Sequence, residues 1–454
     1  MKNKEYKKGK MFGIGGVLLV CVGIVVAGSL LNRDSETIVV DKDEQVIAHL
    51  LWGNGKIQYE CESGNEDYID LTCREAIDVL KEKEKLSEKQ AQKELAKGNY
   101  IIKSFYDQDA FQALKAGSSQ MTISVDEAKV MAISDGEGKL LAAYTESRDS
   151  EVNQLLRRTY SGSTIKPLST YGPGIEENVI YWSKLYEDSP YTESWPTNVE
   201  SFTGEGKTVA QALQESNNAI TVKILDDVGL ENACTYLRET LGMTVNDEEE
   251  MIQEDEEKYK TELLGSLGLG YLNKGVTIKE MLEDYQAFGK GGVRYQLSAM
   301  ESLTDENGTC IYRKKEKKDR IFSEDTAYIV NRMLRGVVEN GTAKSAQIDG
   351  IDVCGKTGTS QGYRDNWFIG MTPEYICAAW YSQNAKERIQ NEAILAFKSA
   401  FQELALDKEK EYPRTDKVEK KEYCKKTGLL VGEHCSEVQT GYYKKDALPE
   451  TCNE

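Results

Sequence analysis

Residues 161–167 place a serine and a lysine three positions apart, directly before a proline, at Ser163, Lys166 and Pro167. Proline is tolerated near the first turn of a helix, because the N–H that it lacks has little or no partner there. A helix is therefore expected to begin close to Ser163, with serine and lysine on one face, about 5–6 Å apart at Cβ. Free backbone N–H groups at that helix start would stabilise an oxyanion. Alone, the spacing favours a helix cap followed by a solvated lysine, so a catalytic interpretation depends on the rest of the chain.

Segments on both sides of this helix predict the strands of one sheet. Two apolar runs flank an Asp/Gly turn at 135–138, which indicates an antiparallel hairpin. Three more strand-like runs and an amphipathic helix over 390–406 follow a helical middle. The five predicted strands are 129–133, 140–144, 351–359, 366–370 and 375–380. A single antiparallel sheet covered by helices, an α+β fold, is the simplest packing.

Capping signals predict the remaining helices. A charged amphipathic stretch over 72–97 is expected to end at Gly98, and a shorter helix over 107–116 at Gly117. Thr208 begins a helix through a capping box with the glutamine three residues later. The chain beyond about 407 shows no strong periodicity.

The N-terminus predicts a membrane anchor. Residues 11–31 carry no charge, and about 20 apolar residues suffice to span a bilayer. Five lysines precede this run and a mainly acidic segment follows it, which places residues 1–10 in the cytoplasm, the span at 11–32 and the bulk outside the cell membrane. A cleaved signal peptide is the alternative.

Composition excludes several classes of function. The formal charge of -19 argues against a nucleic-acid partner, which would need basic surface. The two histidines, His49 and His434, lie near no motif, so a histidine triad or a histidine-ligated zinc is not expected, and no metal or cofactor is predicted. Ten cysteines leave their pairing open, although Cys354 and Cys377 lie in apolar runs and are expected to be buried thiols.

Two further motifs suit a cleft that binds a carboxylate. Lys356-Thr357-Gly358-Thr359 lies on a predicted strand, where the glycine would let a ligand approach the backbone closely. A second Lys-Thr-Gly at 426–428 lies in the tail and is interpreted as structural. Of three Ser-x-Asn triplets, only the one at 216–218 lies between two predicted helices and between the other two motifs.

Taken in order, Ser-x-x-Lys, Ser-x-Asn and Lys-Thr-Gly resemble the signature of penicillin-binding proteins and class A β-lactamases. The wider sequence resembles the transpeptidase domain of class A penicillin-binding proteins over roughly 100–400. The runs that carry the resemblance are 161–168, 208–218, 340–343, 355–359 and 365–373.

The resemblance implies a β-lactamase/transpeptidase-like fold and a D,D-transpeptidase that cross-links peptidoglycan stem peptides through a serine acyl-enzyme, inhibited by β-lactams. Ser163 would attack the peptide carbonyl and Lys166 would take its proton. The backbone N–H groups of Ser163 and Thr359 would form the oxyanion hole. The implied catalytic residues are Ser163, Lys166, Ser216 and Asn218, and the implied substrate-binding residues are Lys356, Thr357, Gly358 and Thr359.

The proposed base must have a strongly lowered pKa. Lysine titrates near 10.4, so activity near pH 7 requires a fall of roughly 3 units. Burial of Lys166 and the positive charge of Lys356 would both act in this direction.

The sequence departs from class A proteins in one respect. Only about 70 residues separate the predicted anchor from the match, too few for the glycosyltransferase domain of that class, so no glycan polymerisation is predicted and a separate glycosyltransferase is the expected partner. The predicted domains are a linker module over 33–119, a transpeptidase domain over 120–406 and a cysteine-containing extension over 407–454. The alternatives are a β-lactamase or D,D-carboxypeptidase, and a non-catalytic β-lactam sensor or cell-wall scaffold.

Overall fold

A computed structural model describes residues 36–121, 128–148, 151–243, 256–383 and 391–453. The strands, in chain order, are β1 Thr37–Val40, β2 Val46–Gly53, β3 Lys56–Cys61, β4 Ile101–Ser104, β5 Ala128–Ser134, β6 Leu140–Ser147, β7 Leu185–Glu187, β8 Gly206–Thr208, β9 Val293–Tyr295, β10 Met300–Thr304, β11 Cys310–Arg313, β12 Lys318–Arg320, β13 Cys354–Thr359, β14 Asp365–Met371, β15 Ile376–Ser382, β16 Val418–Cys424 and β17 Val438–Lys444. The α-helices are α1 Glu66–Glu84, α2 Glu88–Lys97, α3 Gln108–Ser118, α4 Gly172–Glu176, α5 Val209–Gln214, α6 Asn218–Val228, α7 Leu230–Thr235, α8 Glu256–Leu269, α9 Ile278–Gly289, α10 Glu324–Glu339 and α11 Glu392–Glu403.

The predicted anchor over 11–32 lies outside the described residues. Within the described ranges, no helix combines the length and the apolar character that crossing a bilayer requires.

A five-stranded antiparallel sheet in the order β13-β14-β15-β5-β6 forms the centre of the molecule, which confirms the predicted α+β core. All residues of β5, β14 and β15 are buried, because helices cover both faces of these strands. Helices α3 and α11 pack on one face, and α9 packs on the other. Strand β13 lies at one edge of the sheet, where it contacts α10 and the turn that carries Ser163. This edge is where the candidate site forms.

Several predicted boundaries were wrong, each for a local reason. The stretch over 72–97 is two helices, because Lys85 adopts a left-handed conformation and Ser87 caps a new helix with Gln90. Gly117 does not end α3, which continues to Ser118. Instead, a Cβ at Gly117 would lie 2.5 Å from the carbonyl oxygen of Ala396, so this glycine allows α3 and α11 to pack closely.

A second sheet joins the predicted linker module to the following domain. It has six strands in the order β11-β10-β4-β1-β2-β3, so two strands come from within 120–406. The Tyr68 hydroxyl donates to the carbonyl oxygens of Leu140 (3.1 Å) and Ala299 (3.2 Å), both in the domain. The sequence did not predict β10 and β11 in this sheet, because their partner strand is about 200 residues away in the chain.

The chain beyond 407, which shows no strong periodicity in the sequence, forms regular structure. Strands β16 and β17 form an antiparallel hairpin that packs on the helical side of the domain. The Tyr443 hydroxyl lies 2.8 Å from Ser183 Oγ, and Ser183 donates to the carbonyl oxygen of Gly428 at 2.6 Å. The second Lys-Thr-Gly therefore belongs to a packed turn, which agrees with its structural interpretation.

Candidate active site

Ser163 lies in a tight helical turn at the edge of the central sheet. A 3-10 turn over Gly162–Ile165 passes into a wide turn over Pro167–Tyr171 and then into α4. The Lys166 N–H donates to the Ser163 carbonyl oxygen, an i to i+3 bond. Because side chains three residues apart eclipse in a 3-10 turn, Ser163 and Lys166 share one face. The helix thus begins where the proline predicted.

Glycine residues allow this turn to contact strand β13 directly. Gly162 has a φ of +51°, and a Cβ there would lie 2.6 Å from the carbonyl oxygen of Thr359. A Cβ at Gly358 would overlap the carbonyl oxygen of Ser161. The glycine of the strand motif is therefore required for packing against the serine turn, a role that differs from the predicted approach of a ligand. The same packing brings the Thr359 amide beside the turn of Ser163.

The amine of Lys166 is fully buried and held by the Ser-x-Asn turn. Its Nζ donates to the carbonyl oxygen of Ser216 at 2.8 Å and to Asn218 Oδ1 at 2.7 Å, with Ser216 Oγ at 3.5 Å. Burial, and then the positive charge of Lys356, lower the pKa of Lys166 well below its ordinary value. Both effects favour the uncharged form of this amine.

Lys356 approaches the same hydroxyl from strand β13. Its Nζ donates to Ser216 Oγ at 2.8 Å and to the carbonyl oxygen of Thr357 at 3.0 Å. Burial lowers the pKa of Lys356 to about 7. Ser216 Oγ thus lies between two buried amines, which is a suitable position for transferring a proton.

The hydroxyls of Thr357 and Thr359 lie on the other face of the strand motif. Both residues are partly exposed, whereas Lys356 and Gly358 are buried, as the alternation of side chains along a strand requires. Thr357 Oγ1 lies 2.8 Å from Thr342 Oγ1, and the Thr342 N–H donates to the carbonyl oxygen of Gln214. Thr342 therefore links the strand to the helix that precedes Ser216. Thr342 lies in the run 340–343, but no role was predicted for it from the sequence.

Ser216 adopts a strained backbone conformation. Its φ is +57°, which is uncommon for a residue other than glycine and is typical of functional sites. The conformation is held by its neighbours: the Asn217 N–H donates to the carbonyl oxygen of Ala212, and Asn217 Oδ1 accepts the N–H of Ile220 and caps α6.

A buried carboxylate, Asp188, supports this turn and was missed by sequence reasoning. It accepts hydrogen bonds from Asn217 Nδ2 (2.7 Å) and Asn198 Nδ2 (3.0 Å), and it pairs with Lys207 (3.0 Å). Asn198 Oδ1 in turn accepts the N–H of Asn218 at 2.8 Å. No local pattern marks Asp188 or Asn198, because both lie in irregular chain some 20–30 residues before the turn.

A cleft of about 620 Å³ lies beside Asn218. The Asn218 amide donates to the carbonyl oxygen of Thr197 at 2.8 Å, on the wall of this cleft. Trp195, Tyr271 and Gln361 line other parts of it. Of the candidate residues, Asn218 is the one that lines this cleft. The partly exposed Ser163, the buried amine of Lys166 and the hydroxyls of the strand motif form a group suited to acyl transfer.

The fold and the arrangement of the three motifs are those of the penicillin-recognising class of proteins. The model of the penicillin-binding protein transpeptidase domain matches residues 128–402, and the chain belongs to this family.

Relatives and solved structures agree. The chain is 31% identical to penicillin-binding protein 1F of Bacillus subtilis over 331 residues, which cover 69% of this chain and 43% of that protein. Penicillin-binding protein 1A of Clostridium perfringens is 31% identical over 48% of this chain and 33% of its own. The chain therefore spans less than half the length of these relatives. Penicillin-binding protein 1A of Haemophilus influenzae has a similar fold, with a TM-score of 0.69 and 13% identity over 87% of this chain and 78% of its own.

Proposed function

We propose that this protein is a membrane-anchored D,D-transpeptidase that cross-links peptidoglycan stem peptides through an acyl-enzyme on Ser163 and is inhibited by β-lactams. The observation that carries the proposal is the environment of Lys166. A neutral amine has two N–H bonds and one lone pair, and its two short hydrogen bonds use both N–H groups. The lone pair is left to accept the proton of the serine hydroxyl on the same face.

In the first step, Ser163 Oγ attacks the carbonyl carbon between two D-alanines while Lys166 takes the hydroxyl proton. The negative charge develops on the carbonyl oxygen, for which the N–H groups of Ser163 and Thr359 are the proposed donors. Packing of Gly162 against Thr359 supports this assignment, since it brings the strand amide to the serine turn.

Collapse of the tetrahedral intermediate requires a proton on the departing D-alanine amine. Ser216 is proposed to deliver it, because its Oγ lies within 3.5 Å of Lys166 Nζ and 2.8 Å from Lys356 Nζ. The amine of a second stem peptide then enters as D-alanine leaves. It gives its proton back along the same route, attacks the ester and releases Ser163 with a new peptide bond.

The terminal carboxylate of the donor peptide is proposed to bind at the strand motif. The charge of Lys356 attracts the carboxylate, and the hydroxyls of Thr357 and Thr359 donate to it. The carboxylate of a penicillin would occupy the same position, which accounts for the inhibition.

Hydrolysis of the acyl-enzyme, as in a β-lactamase or D,D-carboxypeptidase, is the competing function. It requires a group that activates water. Among the described residues that line the cleft, Glu262 is the one with a carboxylate, and its side chain is exposed. The hydrogen bonds described for Lys166 and Ser216 include none with Glu262, so transfer to an amine is the proposal.

A non-catalytic sensor or scaffold would not need these groups. The strained backbone of Ser216, the burial of Lys166 and the hydrogen bond by which Asn218 orients that lysine each have a cost in stability. A non-catalytic protein would gain nothing from them. Anchoring through residues 11–32 and supply of glycan by a separate glycosyltransferase remain parts of the proposal.

The test is acylation of the purified chain by a labelled penicillin, alongside Ser163→Ala. A stable adduct of one label per chain is expected, and the variant should form none while keeping its thermal unfolding temperature, because the substitution removes one partly exposed hydroxyl. Rapid release of hydrolysed penicillin would establish a hydrolase instead, with Glu262→Gln as the diagnostic variant. Labelling that persists in Ser163→Ala would refute the assignment of the nucleophile.

A further inference from the structure

Three cysteines that are distant in the sequence converge in the C-terminal extension. The Sγ atoms of Cys424, Cys435 and Cys452 all lie within 4.8 Å of one another. Within the described ranges, this is the one group of three or more side chains with metal-binding donors in such an arrangement. Cys424 and Cys452 are buried, and Cys435 is half-buried.

The backbone of the hairpin builds this arrangement. Cys424 is the last residue of β16, and the turn after it closes through the Gly428 N–H, which donates to the Cys424 carbonyl oxygen at 2.9 Å. Leu430, after the turn, exchanges backbone hydrogen bonds with the final segment: its N–H donates to Glu450 (2.9 Å) and its carbonyl oxygen accepts from Cys452 (2.8 Å). This pairing brings the last cysteine beside the first.

Backbone N–H groups point at the sulfur atoms. The N–H groups of Lys426 and Thr427 donate to Cys424 Sγ, and the Gly432 N–H donates to Cys435 Sγ at 3.3 Å. Amide donors around a sulfur favour the thiolate, which is the form that binds metal ions. A disulfide needs no such donors, and it would join only two of the three sulfurs.

We propose that Cys424, Cys435 and Cys452 bind one zinc ion through three thiolates. Zinc–sulfur bonds of about 2.3 Å in a tetrahedron require sulfur–sulfur distances of about 3.8 Å, which is within the observed limit. On binding, the three thiols release their protons to solvent and the charge of the ion is offset by three thiolates. A water molecule would take the fourth position of the tetrahedron.

The sequence did not predict a metal site, because neither of its histidines lies near a motif. The separations of ten and sixteen residues between the cysteines lack the short C-x-x-C spacing that signals zinc. Only the pairing of Leu430 with the final segment brings the third thiol to the other two.

A zinc ion here would hold the extension together as a unit. The hairpin has few apolar residues of its own. The ion would link its first strand, and the segment between its two strands, to the end of the chain. The same hairpin packs against Ser183, through Tyr443 and the turn at Gly428. The proposed role is therefore structural, and it is independent of the proposed catalytic function.

The test is the metal content of the full chain, purified in detergent with a phosphine reductant and without chelators. Inductively coupled plasma mass spectrometry is expected to find about one zinc per chain. Cys435→Ser should retain less than about a tenth of that zinc, whereas Cys310→Ser, which removes an exposed thiol outside the group, should retain all of it. Labelling by penicillin should survive in both variants.

A second measurement avoids dependence on a folded variant. Replacement of zinc by cobalt in the unaltered chain should give a thiolate-to-cobalt charge-transfer band in the near ultraviolet, and a chelator should abolish it while making three more thiols reactive. Zinc that is equally abundant in Cys435→Ser would overturn the proposal. So would a chain without zinc in which peptide mapping, done without reductant, finds a disulfide between two of the three cysteines.

Discussion

Replacement of Lys356 by methionine should shift the pH dependence of acylation by about two units. Lys356 and Lys166 both contact Ser216 Oγ, at 2.8 and 3.5 Å, so their nitrogen atoms are no more than about 6.3 Å apart, the sum of those distances. Two unit charges at that separation repel by about 2.6 kcal/mol at an effective dielectric constant of 20, which corresponds to about two pKa units.

The sign of the effect follows from the active protonation state, in which Lys166 is neutral and Lys356 is charged. In the unaltered protein, repulsion makes the doubly charged pair lose its first proton readily. The rising limb of the activity profile therefore lies at low pH. Activity falls again when the second proton is lost, which gives a bell-shaped profile. Lys356→Met has no repulsion and no second proton. Its rising limb should therefore lie about two units higher in pH, and its falling limb should disappear.

The assay is the second-order rate constant for acylation by a labelled penicillin from pH 5 to pH 10. Thr357→Val is the matched control, since it removes a hydroxyl from the carboxylate site and leaves both charges in place. It should slow acylation at all pH values without moving either limb. A rising limb at the same pH in Lys356→Met and in the unaltered protein would refute the idea that the Lys356 charge lowers the pKa of Lys166.

Three further substitutions test the geometry of the site. Asn218→Ala removes one of the two hydrogen bonds that orient the candidate base, so the acylation rate should fall by about 10- to 100-fold, and an unchanged rate in stopped-flow assays would contradict this role. Thr342→Val breaks the hydrogen bond to Thr357 and should slow acylation about fivefold; Thr342→Ser should restore the rate if the hydroxyl is responsible. Gly162→Ala introduces a Cβ at positive φ against the backbone of Thr359, so denaturant unfolding should show a loss of at least about 2 kcal/mol, and native stability would show that the turn can move.

The local sequence was sufficient to predict much of the central domain. Local sequence patterns predicted all five strands of the central sheet, most directly β5 and β15, whose apolar runs are typical of strands buried on both faces. Proline after Lys166 located the serine turn, and contiguous motifs located the candidate residues, because spacing within one turn of helix or one strand is determined by the chain itself.

The tertiary structure determined the features that depend on distant parts of the chain. The hydrogen bonds of Lys166, the support of the Ser216 turn by Asp188 and the link from Thr342 to Thr357 all join residues that no local pattern connects. The pairing of β10 with β4 and the convergence of the three cysteines have the same origin. The physical reason is that such contacts depend on the register and packing of whole elements, and both pKa shifts of the two lysines follow from the burial that this packing creates.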